Sequence, residues 1–264
     1  MHPLLLKIGS VPVHTYGFLI AVGFLLAIWI VKWLAERSRI NVEKTLDLSF
    51  WCLLLGFVGA RILFIITRFS AFMLDPASMF RVWEGGLVFL GGPLLVVPFA
   101  IWYTRRNGLS PWKVIDVLMP ALTVAHAFGR FGCLAAGCCY GRPTGSEWGI
   151  RLYSDLVDKH LQGIPLHPTQ LYESGALLIL FFGLLQVFKR KSFDGQVGLT
   201  YFLAYPIIRS IVEAFRGDEI RGFVIDDVLS TSQFISILIF LVASLVLWRR
   251  LKQVHGEPGQ VAVS

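Results

Sequence analysis

Three arginines stand where arginine is expensive to place. Arg61, Arg130 and Arg209 each fall inside an apolar stretch, where inserting one such side chain costs roughly 2.5–3.5 kcal/mol. A residue kept there needs a partner or a task. Glu173, Glu213 and His126 lie at similar depth. Arg209, Glu213 and Arg216 follow one another at i, i+4 and i+7, which puts them on one helical face. That spacing fits an Arg209–Glu213 ion pair as well as it fits an anion site. Arg130 is framed in Gly129-Arg130-Phe131-Gly132. Glycines leave room beside its planar fork of donors, an arrangement suited to a phosphate oxygen. The chain has no Walker loop and no dinucleotide glycine fingerprint. The ligand these arginines fit is therefore anionic at one end and apolar at the other, as a phospholipid is.

The second constellation is Cys133, Cys138 and Cys139. Packing as small apolar residues is the favoured reading. A disulfide from Cys133 to Cys138 or Cys139 suits an oxidising outer compartment. A metal site completed by His126 or His167 stays open, although the spacing is not C-x-x-C, and so does a catalytic thiol. Cys52, within an apolar run, reads as packing. His126 reads as a hydrogen-bonded core residue. His167 precedes Pro168 and is expected to be extended, at a point where it can meet a substrate. No metal and no cofactor is assigned.

The elements that must position these groups follow from composition. The 264 residues are 55% hydrophobic and 16% charged, with mean hydropathy +0.67. A water-soluble globule carries about a quarter charged residues, so the chain belongs in a bilayer. Disorder is excluded by the hydrophobicity, collagen-like and coiled-coil readings by the want of a short repeat, and a secreted disulfide scaffold by there being only four cysteines. A window of about 20 residues finds apolar runs from near Tyr16, Ser49, Gly86, Val114, Gln170, Val197 and Gln233. The expected fold is all-α, a polytopic membrane protein with about seven transmembrane helices. The N-terminus lacks the pattern of a removable signal peptide.

Positive charge sets the orientation. Thirteen Lys and Arg flank one side: Lys32, Arg37, Arg39, Lys44, Arg105, Arg106, Lys113, Lys189, Arg190, Lys191, Arg249, Arg250 and Lys252. Eight lie on the other, namely Lys7, Arg68, Arg81, Arg142, Arg151, Lys159, Arg216 and Arg221. Acidic residues dilute those eight: Asp75, Glu84, Glu147, Asp155, Asp158, Asp218, Glu219, Asp226 and Asp227. The N-terminus is expected outside and the C-terminus in the cytoplasm. Residues 1–252 read as a single membrane domain with outer loops near 69–84 and 141–168, and 253–264 as a disordered cytoplasmic tail. Trp51, Trp83, Trp102, Trp112, Trp148 and Trp248 near the run ends read as interfacial anchors. No repeat relates the two halves of the chain.

Five segments together are more specific. They are His14-Thr15-Tyr16-Gly17, Glu84-Gly85-Gly86-Leu87-Val88-Phe89-Leu90-Gly91-Gly92, the run from Gly129-Arg130-Phe131-Gly132 through Gly137-Cys138-Cys139-Tyr140-Gly141-Arg142-Pro143, His167-Pro168-Thr169-Gln170-Leu171-Tyr172-Glu173, and Glu213-Ala214-Phe215-Arg216. In this order the sequence resembles the prolipoprotein diacylglyceryl transferase family, from about Val13 to Trp248. The resemblance implies an enzyme of the bacterial plasma (inner) membrane, multi-pass, with its active site towards the outer face. Its reaction would move the diacylglyceryl group of phosphatidylglycerol onto the lipobox cysteine of a prolipoprotein and release glycerol phosphate. The implied partners are phosphatidylglycerol, the lipobox peptide and membrane lipids, with no nucleic acid. Arg130 matches the family's phosphatidylglycerol-binding arginine and Arg216 a second essential arginine, while Tyr16, Gly141, His167 and Glu173 match other recurrent positions. The expected catalytic set is Arg130, Arg216, His167, Glu173 and Glu213, and the expected substrate-binding set is Arg130, Tyr16, Gly141 and Arg61.

The sequence departs from the family pattern at three places. Leu90 stands where the family usually has histidine, Cys133 where asparagine is usual and Cys138 where glutamate is usual. The anion-binding arginines are kept while two polar groups able to handle a proton are lost. A paralogue that binds phospholipid without this chemistry is the competing reading, and a thiol-disulfide oxidoreductase a third.

Overall fold

The computed structural model describes residues 4–8, 11–81, 85–154, 156–217, 222–225 and 229–255. Trp83, Glu84, Asp155, Asp218, Glu219, Arg221, Asp226 and Asp227 lie outside them, as do the tail residues 256–264. The described chain is mainly helical: α1 (Thr15–Arg37), α2 (Val42–Thr67), α3 (Phe69–Leu74), α4 (Gly91–Arg106), α5 (Pro111–Ala136), α6 (Thr169–Arg190), α7 (Gln196–Glu213) and α8 (Thr231–His255). Three short antiparallel pairs accompany them: β1 (Leu4–Ile8) with β2 (Val11–His14), β3 (Ile150–Arg151) with β4 (Pro165–Leu166), and β5 (Phe223–Ile225) with β6 (Leu229–Ser230). Helix α8 extends to His255, three residues into the segment read from sequence as tail.

Helices α1, α2, α5, α6 and α8 are long and apolar enough to cross a bilayer. Helix α4 has 16 residues and α7 has 18; at 1.5 Å per residue they reach about 24 and 27 Å, less than a hydrocarbon core of roughly 30 Å. The helices expose apolar side chains as a soluble protein does not: Leu25, Trp29, Ile179, Phe182 and Val242 are each more than 60% exposed. Such faces are stable against lipid, where the helix itself satisfies every backbone polar group.

Within the span read as a single domain, the chain forms two compact units, Met1–Ile30 with Ile115–Ser264, and Val31–Val114. In the second unit α2 packs on α4. Their backbones meet at Gly59 and Gly91, where a Cβ on Gly91 would sit 2.0 Å from the Gly59 carbonyl oxygen. Small residues allow this approach in helices that lack a hydrophobic drive to associate in lipid.

In the first unit α7 packs on both α6 and α8. Asp116 of α5, fully buried, ties α7 down. Its carboxylate accepts from Gly195 N at 2.9 Å, Gly198 N at 3.1 Å and Lys191 Nζ at 2.8 Å. It serves as the N-cap that Gly195 has no side chain to supply. Burial opposes charge on Lys191, but the hydrogen bonds it donates to Asp116 and Asp194 outweigh it and raise the lysine pKa. The 141–168 loop is itself folded around Tyr140, Leu152, Val157 and Leu166. The Tyr140 hydroxyl donates to Asp158 Oδ2 at 3.0 Å, and Ser154 Oγ donates to the Ala136 carbonyl at 2.8 Å.

Candidate active site

His126, Arg130 and Cys133 occupy one face of α5, at i, i+4 and i+7. Glu173, one turn into α6, meets that face and is 2% exposed. Its Oε2 lies 3.0 Å from Arg130 Nε and its Oε1 lies 3.5 Å from His126 Nε2. Tyr205 of α7 donates its hydroxyl to Oε1 at 3.3 Å. The two helices are pinned beside this cluster by Ser174, whose Oγ donates to the Ala127 carbonyl at 2.6 Å. A carboxylate so enclosed needs charged and polar partners around it, and the sequence supplies them from two neighbouring helices, α5 and α7.

The consequence falls on Arg130. Glu173 lies beside the Nε edge of the guanidinium as an ion-pair partner, without hydrogen-bond geometry. Nε itself is buried with no hydrogen-bond partner among the described residues. A buried guanidinium whose charge is paired with one carboxylate while a buried donor lacks a hydrogen-bond acceptor is suited to an oxyanion.

A second pair adjoins the first. Arg209 Nη2 lies 2.7 Å from Glu213 Oε2 and 3.4 Å from Ser232 Oγ of α8, while Arg209 Nη1 is buried with no hydrogen-bond partner among the described residues. The ion pair read from the i, i+4 spacing is present. Tyr201, Tyr205, Arg209 and Glu213 form a continuous i, i+4 ladder on α7, and the Tyr201 and Tyr205 rings stack at 5.5 Å. The sequence reading stops at the charged rungs and misses Tyr205; the signal is the same spacing carried one step towards the N-terminus.

Gly141 is where three segments converge. Its N–H donates to the His167 carbonyl at 2.9 Å and it pairs with Arg216, while Arg142 N donates to the Phe215 carbonyl at 3.0 Å. A Cβ there would lie 2.5 Å from His167 Cβ and 2.6 Å from the Phe215 oxygen. Glycine at this position draws Arg216 and His167 to the same loop. His167 stands at its rim, with Nδ1 3.2 Å from the Tyr172 hydroxyl and its ring 5.4 Å from Phe215. Tyr16, at the start of α1, lies over Gly132, whose missing Cβ would sit 2.9 Å from Tyr16 Cδ2. Beside Phe131, a groove of about 660 Å³ is lined by Leu19, Leu134, Ala135, Ile150 and Arg151.

Arg61 corrects an expectation. All five of its N–H donors face main-chain carbonyls: Nε to Met79 at 3.1 Å, Nη1 to Gly85 at 2.5 Å and Gly86 at 3.0 Å, and Nη2 to Ser78 at 2.7 Å and Arg81 at 3.3 Å. With no donor left over, it organises the segment before α4 instead of binding substrate. Gly85 and Gly86, at φ +87° and +84°, turn their carbonyls onto it. Leu90, 41% exposed, precedes Gly91 at the start of α4.

The cysteines are all free thiols, and their three sulfurs lie within 4.8 Å of one another. Neither histidine belongs to that cluster, because His126 faces Glu173 and His167 faces Tyr172.

The fold and this interior define a helical membrane protein with an arginine-centred polar cluster buried among its helices. The profile of the family described as Prolipoprotein diacylglyceryl transferase matches residues 3–249. The chain is 34% identical over 245 residues to phosphatidylglycerol--prolipoprotein diacylglyceryl transferase 2 of Clostridium perfringens, covering 92% of each chain. It is 31% identical over 252 residues to phosphatidylglycerol--prolipoprotein diacylglyceryl transferase of Oceanobacillus iheyensis, covering 93% of this chain and 87% of that one. The chain belongs to the prolipoprotein diacylglyceryl transferase family.

Proposed function

We propose that this protein transfers the diacylglyceryl group of phosphatidylglycerol to the lipobox cysteine thiol of prolipoproteins and releases glycerol phosphate. The observation that carries the reading is Arg130, buried beside Glu173 at ion-pair distance with its Nε lacking a hydrogen-bond partner among the described residues. In the reaction a thiolate sulfur attacks the glyceryl carbon, a C–S bond forms, and the C–O bond to the phosphate breaks with its electron pair leaving on oxygen. The charge that builds on the leaving phosphate is met by Arg130, with Arg216 on the loop closed by Gly141. Donors aimed where charge develops lower the barrier more than donors that only bind the ground state. Glu173 is a positioning residue in this scheme, because Arg130, Tyr205 and His126 already surround it. Glu213 stands in the same relation to Arg209. His167, at the rim, is placed to meet the incoming peptide, and the apolar groove beside Phe131 suits an acyl chain.

For the same reading, α4 and α7 join the five long helices as sixth and seventh spans, each packed on a longer neighbour that shields its ends. The N-terminus and the 141–168 loop face outwards, the C-terminus lies in the cytoplasm, and the bilayer is the bacterial inner membrane. The test is to mix the purified protein with phosphatidylglycerol micelles and a lipobox peptide. Appearance of the diacylglyceryl thioether by mass spectrometry is expected. Binding of phosphatidylglycerol with no thioether formed would overturn the reading in favour of a lipid-binding paralogue.

A further inference from the structure

The spacing that argues against a metal in the sequence is explained by the end of α5. Gly137, at φ +79°, terminates the helix. Cys138 N donates to the Cys133 carbonyl at 3.1 Å and Gly137 N to the Leu134 carbonyl at 3.2 Å, the two bonds of a Schellman cap. Such a cap brings together the side chains five residues apart that flank it, ordinarily as an apolar contact; here they are two thiols. The third is delivered by strain. Cys139 has φ +62°, a conformation that a residue with a Cβ rarely adopts. Two clamps from the start of α6 hold it there: Gln170 Nε2 donates to the Cys138 carbonyl at 2.7 Å and Thr169 Oγ1 to the Cys139 carbonyl at 2.8 Å.

The result is three sulfurs within 4.8 Å of one another, each half-exposed and none in a disulfide. Zinc–thiolate bonds of about 2.3 Å in a tetrahedron separate sulfurs by about 3.8 Å, so small rotamer changes close the triad on one ion. Soft thiolates select a thiophilic cation, and three protein ligands with an open fourth position are the pattern of a catalytic zinc. We propose that Cys133, Cys138 and Cys139 bind Zn²⁺ and that the open position takes the lipobox cysteine, so that the metal replaces the proton acceptor lost at Leu90. This rests on the transferase reading above.

The chemistry balances. The lipobox thiol coordinates zinc and its proton passes to water. The zinc-bound sulfur forms the bond to the glyceryl carbon as the C–O bond breaks, and glycerol phosphate leaves with the electron pair. The neutral thioether is a poor ligand compared with a thiolate and dissociates. Zinc with three thiolates carries one net negative charge, and Arg130 and Arg216 lie within electrostatic reach of Cys139 to offset it.

The test uses the full-length protein purified in detergent without chelator. Elemental analysis is expected to give about one zinc per chain, falling to under about a tenth in Cys138→Ser and Cys139→Ser. Because a variant can fail to fold, the unaltered protein is also stripped with a chelator and reloaded with Co²⁺. A sulfur-to-cobalt charge-transfer band is expected, which shifts on adding a lipobox peptide and stays fixed with the same peptide carrying serine for cysteine. Absence of zinc together with absence of a cobalt band after reloading would overturn the site. A cobalt band indifferent to the peptide thiol would overturn its role in activating substrate. Neither readout needs turnover, so a protein that binds metal and peptide thiol but makes no thioether refutes the transferase reading and leaves the site standing.

Discussion

At the residue scale, two arginines at comparable cost have opposite fates. Arg61 has an acceptor for every donor, whereas Arg130 is charge-paired with Glu173 and keeps a buried donor without a hydrogen-bond partner among the described residues. Arg130→Lys is therefore expected to lower thioether formation by about 100-fold or more, since one ammonium cannot both engage Glu173 and present a bidentate face. Its thermal unfolding should stay near that of the parent, and parent-like turnover would remove Arg130 from headgroup binding. Arg61→Gln should do the reverse. Losing a charge that five carbonyls surround is expected to destabilise the protein by about 1–3 kcal/mol, while turnover per folded molecule stays unchanged; detergent melts paired with active-site titration would separate the two effects.

At the scale of elements, junctions made by single groups hold the site together. Asp116 caps α7 and meets Lys191 in one buried carboxylate, so Asp116→Asn should destabilise by about 3 kcal/mol and fray the start of α7, read as faster amide exchange at 196–199. Gly141→Ala pushes a methyl group into His167 and the Phe215 carbonyl. The loop bearing Arg216 must then shift, and a drop of about 10-fold or more in kcat is expected, with little change in global melting because the helices are untouched. Equal losses of activity and of folded protein would count against that division.

For the whole molecule, charge and lipid contact decide arrangement. A reporter fused after Lys191 is expected to be cytoplasmic and one inserted near Lys159 external, in line with thirteen basic residues on one side against eight on the other. A cytoplasmic Lys159 would turn the protein over and separate its loops from translocated prolipoproteins. The long helices expose apolar faces, and stability measured in detergents of different chain length should peak where the micelle matches a core of roughly 30 Å.

The sequence by itself determined the membrane class, the approximate positions of the helices, the shared helical face of Arg209 and Glu213, and the family. Each of these is written in local composition, in short helical spacing or in contiguous motifs. Only the tertiary structure decided which arginine is open to a ligand, because the carbonyls that saturate Arg61 come 17 to 25 residues later. The glutamate paired with Arg130 likewise stands in a different helix. Spacing alone left packing, a disulfide, a metal site and a catalytic thiol all open for the cysteines, since the contact between Cys133 and Cys138 depends on a left-handed glycine and Cys139 on a positive φ held from α6. Side-chain type and periodicity are local properties of the chain, whereas the partner of a buried donor is fixed by whichever distant segment closes over it.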